Sequence, residues 1–336
     1  MKLFAFLPES QTGKISTRFN RWMVAISVAL AAFFLYLALR DIDWQIFFAT
    51  LKNAHYVYLP IIFLWSSTSF LIRALRLRIL LVSEKPLPIS NVFWANMAGY
   101  LGNSILPARA GELVRAAYLA RKNNISASFA LAVGLVERLV DLIALIALGS
   151  LALSSTGIIS PIFQSALKGV SIIGLIGLAV IFILPRFSRL VEYSIMSIPK
   201  LKEAYKLKLN NFLQQFLIGL KSLHSLKRAA LFTGLTGLIW LIDALGTVIL
   251  SYILNIPLLL QQAFVLLAAL GLSSAIPSTP GYVGVYQFVA VTALAPFGIL
   301  QADALAFILI SQILGYIVIV FWGLLSLWKF NKPIQS

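Results

Sequence analysis

Three groups of charged residues stand in stretches of chain that are otherwise almost entirely apolar. Glu137, Arg138 and Asp141 fall inside the apolar stretch 127–153. Glu137 is about ten residues in, about 15 Å deep along a helix that rises about 1.5 Å per residue. Their spacing puts Glu137 and Asp141 on one helix face, with Arg138 close enough to neutralise them in part. A charge at such depth costs about 2.5–3.5 kcal/mol on insertion scales. The cluster therefore either handles a substrate or pins its helix to neighbours, a task that small apolar residues perform at less cost. Arg109, Glu112 and Arg115 form the second group, spaced by three residues after Pro107 and around Gly111. If they open a half-helix inside the membrane, its free N–H groups and two forked guanidiniums suit a phosphate. At the membrane surface the same residues would be ordinary basic flanks. Asp243, on one face with Trp240 and Thr247, is the third: it completes a polar network or bonds a nearby backbone. Together Arg109, Arg115 and Arg138 nearly balance Glu112, Glu137, Asp141 and Asp243, as a buried ionised network requires.

The elements that must position these residues follow from composition. The chain has 336 residues, 60% hydrophobic and 11% charged, with a mean hydropathy of +0.93. Soluble domains run about 45–50% apolar and about 25% charged. This is an all-α polytopic membrane protein. Six stretches are long and apolar enough to span: 22–40, 56–72, 127–153, 169–184, 229–254 and 303–328. The first, though it follows basic residues, is longer than a signal core and reads as an uncleaved helix.

Two further apolar stretches break at a proline that a glycine follows four residues later. Ser104-Ile-Leu-Pro-Ala-Arg-Ala-Gly111 and Ser274-Ala-Ile-Pro-Ser-Thr-Pro-Gly281 stand 170 residues apart. This predicts two repeats, 1–168 with a re-entrant hairpin at 89–121 and 169–336 with one at 257–297. Three crossings per half make the halves inverted; full traversal by a hairpin gives the upper figure of six to eight crossings. Charge agrees with both termini on the cytoplasmic side. Lysine and arginine crowd 1–21, 73–126, 185–228 and 329–336, while the outer segments hold only Arg40, Lys52 and Lys168. Segment 186–228 carries apolar residues at helical spacing among lysines and is expected to lie on the inner leaflet as an amphipathic connector.

The formal charge of +16 is thus a topology signal and does not point to nucleic acid. Cysteine is absent and the two histidines, His55 and His224, lie in unrelated stretches, so no metal centre or cofactor is expected. Neither a GxxxxGK[ST] loop, a dinucleotide fingerprint nor HExxH occurs. A transporter-like role is favoured over an enzyme. The alternative is an intramembrane transferase acting on a lipid-linked head group, because dense acids and arginines suit transfer chemistry as well.

Leu106-Pro-Ala-Arg-Ala-Gly-Glu-Leu-Val-Arg115, Glu137-Arg-Leu-Val-Asp141 and Ile276-Pro-Ser-Thr-Pro-Gly-Tyr-Val-Gly284 occur in that order. In these motifs the chain resembles the flippase-like membrane region of lysylphosphatidylglycerol synthases, over nearly its whole length. The resemblance implies a protein of a prokaryotic cytoplasmic membrane that moves a phospholipid or lipid-linked group between leaflets. The lipid head group would be anionic or phosphate-bearing. It further implies substrate contacts at Pro107, Arg109, Gly111, Glu112, Arg115, Glu137, Arg138 and Asp141. Asp243, Pro277, Gly281 and Gln287 are candidates beside them. The chain departs from the family where a glycine is Tyr282 and a glutamate is Gln287, which removes a carboxylate that could take up protons or cations. The soluble aminoacyl-transfer domain of the two-part synthases has no counterpart, so lipid aminoacylation is not expected. Oligomeric state is open.

Overall fold

The computed structural model describes residues 17–106, 110–157, 187–198, 202–274 and 279–330, together with Ile172 and Ile176. Helices account for nearly all of them, and no strand occurs among the described residues. The order is α1 (Thr17–Leu39), α2 (Trp44–Lys52), α3 (Leu59–Leu81), α4 (Ile89–Ile105), α5 (Gly111–Asn123) and α6 (Ala127–Ser155). Then follow α7 (Ser188–Met196), α8 (Glu203–Lys221), α9 (Leu226–Ile253), α10 (Leu260–Ser273), α11 (Val285–Leu294) and α12 (Gln301–Phe330). The expected span 169–184 lies outside the described residues.

Among the described residues three helices are by themselves long and apolar enough to cross a bilayer: Tyr56–Leu81, Leu226–Ile253 and Gln301–Phe330. The pair Ala25–Leu39 and Trp44–Lys52, bent by 90°, makes a fourth if counted as one span. Asp43 sits at that bend and caps α2, its Oδ1 accepting from the Gln45 and Ile46 amides at 2.9 and 3.1 Å. The 29-residue α6 has the length to cross and carries the Glu137 cluster at its middle.

Helix α3 departs most from expectation. Its apolar run was expected to end at residue 72, with the arginines beyond it in a cytoplasmic loop; the helix continues to Leu81 and carries Arg73 and Arg76 into the protein. Carboxylates on α6 and α9 compensate these charges, a tertiary effect that hydropathy along one segment does not register.

Both proline-broken stretches are pairs of helices packed on each other, α4 on α5 and α10 on α11. Leu106 adopts an extended conformation (φ −89°, ψ 144°), as a residue before proline prefers, and this ends α4. α4 and α5 are antiparallel and touch through glycine: a Cβ on Gly102 would lie 2.8 Å from Gly111 Cα, and one on Gly111 would meet the Gly99 carbonyl. The second break turns on positive φ at Gly281 (81°), Tyr282 (59°) and Gly284 (87°), after which Gln287 caps α11. Each broken pair also packs on a long helix distant in sequence. α4 lies on α12, where Gly323 admits Leu101, and α10 lies on α6, where Gly149 admits Ala268. The central contact is α3 on α9.

Candidate functional site

Four helices bring their charges to one place. Arg76 of α3 is fully buried, 0% exposed. Its Nη1 donates to Asp141 Oδ1 at 2.5 Å and its Nη2 to Asp141 Oδ2 at 2.9 Å and Glu137 Oε1 at 2.8 Å. Thr236 of α9 adds an acceptor at 3.3 Å, and the Phe232 ring lies 5.5 Å from the guanidinium carbon. On the other oxygen of Glu137, Arg115 of α5 donates from Nη1 at 2.8 Å, and its Nη2 lies 2.8 Å from Glu112 Oε2. Glu112 Oε1 then accepts from Arg138 at 2.7 and 3.2 Å. The result is one alternating chain, Arg138–Glu112–Arg115–Glu137–Arg76–Asp141, tying α3, α5 and α6 together. Charge-assisted, partly bidentate bonds of this kind are the strong ones, and they offset the desolvation of each ion only because every member has an opposite neighbour.

A separate pair joins the halves directly. Arg73 of α3 is bonded to Asp243 of α9, which also accepts from Ser69 Oγ at 2.6 Å. The Trp240 ring lies 5.4 Å from the Arg73 guanidinium. Counting both sets among the described residues, Arg73, Arg76, Arg115 and Arg138 face Glu112, Glu137, Asp141 and Asp243, four charges of each sign.

Four of these charges form the base of a cavity of about 920 Å³. Arg73, Tyr100, Arg138, Asp141 and Asp243 line its polar end, while Ile62, Trp65, Leu145, Leu250, Leu267 and Leu314 are among its apolar walls. Along α3 the lining runs from Ile62 to Arg73, about 16 Å at about 1.5 Å per residue. The charged end therefore lies near the middle of α3 and α9, and apolar wall extends from it toward the Leu59 end of α3. Both halves contribute, with Gly271, Ser274 and Tyr286 coming from the second helix pair. Among these eight charges Arg138 is the most open, its side chain 38% exposed against 1% for Arg76.

The sequence-based site divides on this geometry. Arg138, Asp141 and Asp243 line the cavity; Glu112, Arg115 and Glu137 stand behind that wall and hold it. Gly111 serves the close contact of α4 and α5. Gln287 is buried: its Oε1 accepts from the Gly284 amide at 2.6 Å and its amide group donates to Gln312, which bonds the Gly281 carbonyl at 2.9 Å. Gln287 and Gly281 thus shape the second break and are not among the cavity-lining residues. Pro107, Arg109 and Pro277 lie outside the described residues. The direct ion pairs are made elsewhere than expected: Arg138 is bonded to Glu112, while Arg76 and Arg115 pair with Glu137 and Asp141, so any neutralisation by Arg138 along its own helix is without contact. Sequence reading missed Arg73 and Arg76. Their i, i+3 spacing in Phe70-Leu-Ile-Arg-Ala-Leu-Arg-Leu77, beside an apolar run, was the available signal.

Among the described residues no group of three or more His, Asp, Glu or Cys is arranged to hold a metal ion. Residues 24–323 match the family model described as the lysylphosphatidylglycerol synthase TM region. A UPF0104 membrane protein of Methanocaldococcus jannaschii is 28% identical over 236 residues, 69% of this chain and 95% of the relative. No solved structure matches.

Proposed function

The chain belongs to the family of the lysylphosphatidylglycerol synthase TM region, and from that premise we propose that it carries a phosphate-bearing phospholipid or lipid-linked group between the leaflets of a prokaryotic cytoplasmic membrane, with both termini cytoplasmic. Family membership supports an integral membrane protein with a lipid-related function; the transport step is our reading. One observation carries it: a cavity of about 920 Å³ with arginines and carboxylates at the mid-helix end and apolar walls beyond. A charged head group needs a polar, satisfied environment in mid-membrane, and acyl chains need an apolar one. A forked guanidinium is the donor that best fits a phosphate, and Arg138 is paired on only part of its donors and half open to the cavity.

The lining carboxylates Asp141 and Asp243 are each paired with an arginine, which suits holding and orienting better than proton abstraction. The test is reconstitution of the purified chain into liposomes carrying labelled phospholipids, aminoacyl lipids and polyprenyl-phosphate sugars. Movement of one class across the bilayer, beyond protein-free liposomes, is expected. Exchange of head groups between donor and acceptor without crossing would favour an intramembrane transferase instead.

A further inference from the structure

The charge balance at the cavity base says more about the head group than its phosphate. Arg138 and Asp141 each line the cavity alone, since their partners Glu112 and Arg76 stand behind the wall. Arg73 and Asp243 differ. Among the described residues theirs is the ion pair of which both members line the cavity, with side chains 13% and 22% exposed. A ligand at this base therefore meets a guanidinium and a carboxylate together.

Among the described residues the four arginines and four carboxylates of the site cancel. A head group with a net negative charge would add a charge that this balance leaves uncompensated at mid-membrane depth, which is strongly unfavourable. A group that brings one negative and one positive charge leaves the balance intact. Phosphate can draw on Arg138, whose Nη1 makes no hydrogen bond among the described residues, and on Arg73. Ammonium can draw on Asp243. Aromatic residues that attract cations, Trp65, Tyr100, Trp240 and Tyr286, also line the cavity.

We propose that the cavity selects a zwitterionic phospholipid head group, with phosphate on Arg138 and Arg73 and ammonium on Asp243 and the aromatic residues. This rests on the reading of the cavity as a lipid head-group site. The discriminating residue is Asp243. Without its charge Arg73 is uncompensated and the base carries a net positive charge, so the preference turns toward anionic lipid.

The test is binding, kept separate from transport. The full chain in detergent is titrated with short-chain phosphatidylethanolamine and phosphatidylglycerol, followed by native mass spectrometry. The wild type is expected to bind the zwitterionic lipid about tenfold more tightly, the scale of one charge-assisted contact, and Asp243→Asn to reverse the order. If Asp243→Asn does not fold, the paired change Asp243→Asn with Arg73→Gln keeps the base neutral but removes the carboxylate for the ammonium, so its preference for phosphatidylethanolamine should shrink to a fraction of the wild type's. Equal binding by the wild type, a preference for phosphatidylglycerol, no binding of either lipid, an unaltered order in Asp243→Asn, or an undiminished preference in the paired variant would overturn the inference. Selective binding with no movement across liposomes would leave this inference standing and refute transport.

Discussion

Arg76 of α3 clasps Asp141 of α6 with both terminal guanidinium nitrogens, at 2.5 and 2.9 Å, in a fully buried contact. Fork-to-fork geometry fixes the rotation of the two helices against each other as well as their distance. The same guanidinium reaches Glu137, so three charges on two helices behave as one unit.

Removing Arg76 should therefore be the most damaging single change in the network. Arg76→Leu strands Asp141 outright, while Glu137 keeps Arg115. A loss of about 3–5 kcal/mol is expected, as for breaking a buried pair. Adding Asp141→Leu should restore most of it. Thermal melting of both variants is the check; a double variant no more stable than Arg76→Leu would contradict the pairing.

Arg138→Ala should behave in the opposite way. Its side chain is 38% exposed and its partner Glu112 retains Arg115, so about 1 kcal/mol or less of stability is at stake. Lipid movement is expected to fall at least tenfold. A stable, fully active Arg138→Ala would remove this residue from the pathway.

How much of this was legible in the sequence differs by element. The helix pairs at 89–121 and 257–297 were readable because proline and glycine act locally on the backbone. Glu112, Arg115, Glu137, Arg138, Asp141 and Asp243 were found because a charge inside an apolar run is conspicuous. Arg73 and Arg76 escaped because a charge at the end of such a run looks like the end of the span, and only partners about 60 to 170 residues away show otherwise. The direct partner of Arg138 was hidden for the same reason: i, i+3 proximity on one helix loses to two donations onto one oxygen of Glu112 on another.

The close contact of α4 and α5 yields a backbone prediction with its own control. A Cβ at Gly111 overlaps main-chain atoms of Gly99 and Asn103, which cannot swing aside, whereas a Cβ at Gly237 in α9 meets nothing within 4 Å. Gly111→Ala should lower the melting temperature sharply. Gly237→Ala should leave it level or raise it, since helix propensity adds up to about 1 kcal/mol of stability. Equal effects would contradict the packing of the pair.

The reciprocal contacts α4 on α12 and α10 on α6 support our proposal that the two halves are inverted repeats. The chain has no cysteine of its own, so single cysteines report cleanly. Ser274→Cys, in the cavity, is expected to react with impermeant reagent from the outside, and Ser104→Cys from the cytoplasmic side. Reaction of both from one side would refute the inversion.

The central claim is that lipid passes through this cavity, and filling it is the most direct trial. Ser66 lines the cavity between its apolar walls and its charged base. Ser66→Cys, reconstituted into liposomes with a fluorescent phospholipid, is measured before and after modification with a bulky maleimide. Translocation above protein-free liposomes before modification, and its loss afterwards with an unchanged melting temperature, is the predicted result. Translocation at full rate through the blocked protein, or no translocation by the unmodified one, would contradict the account.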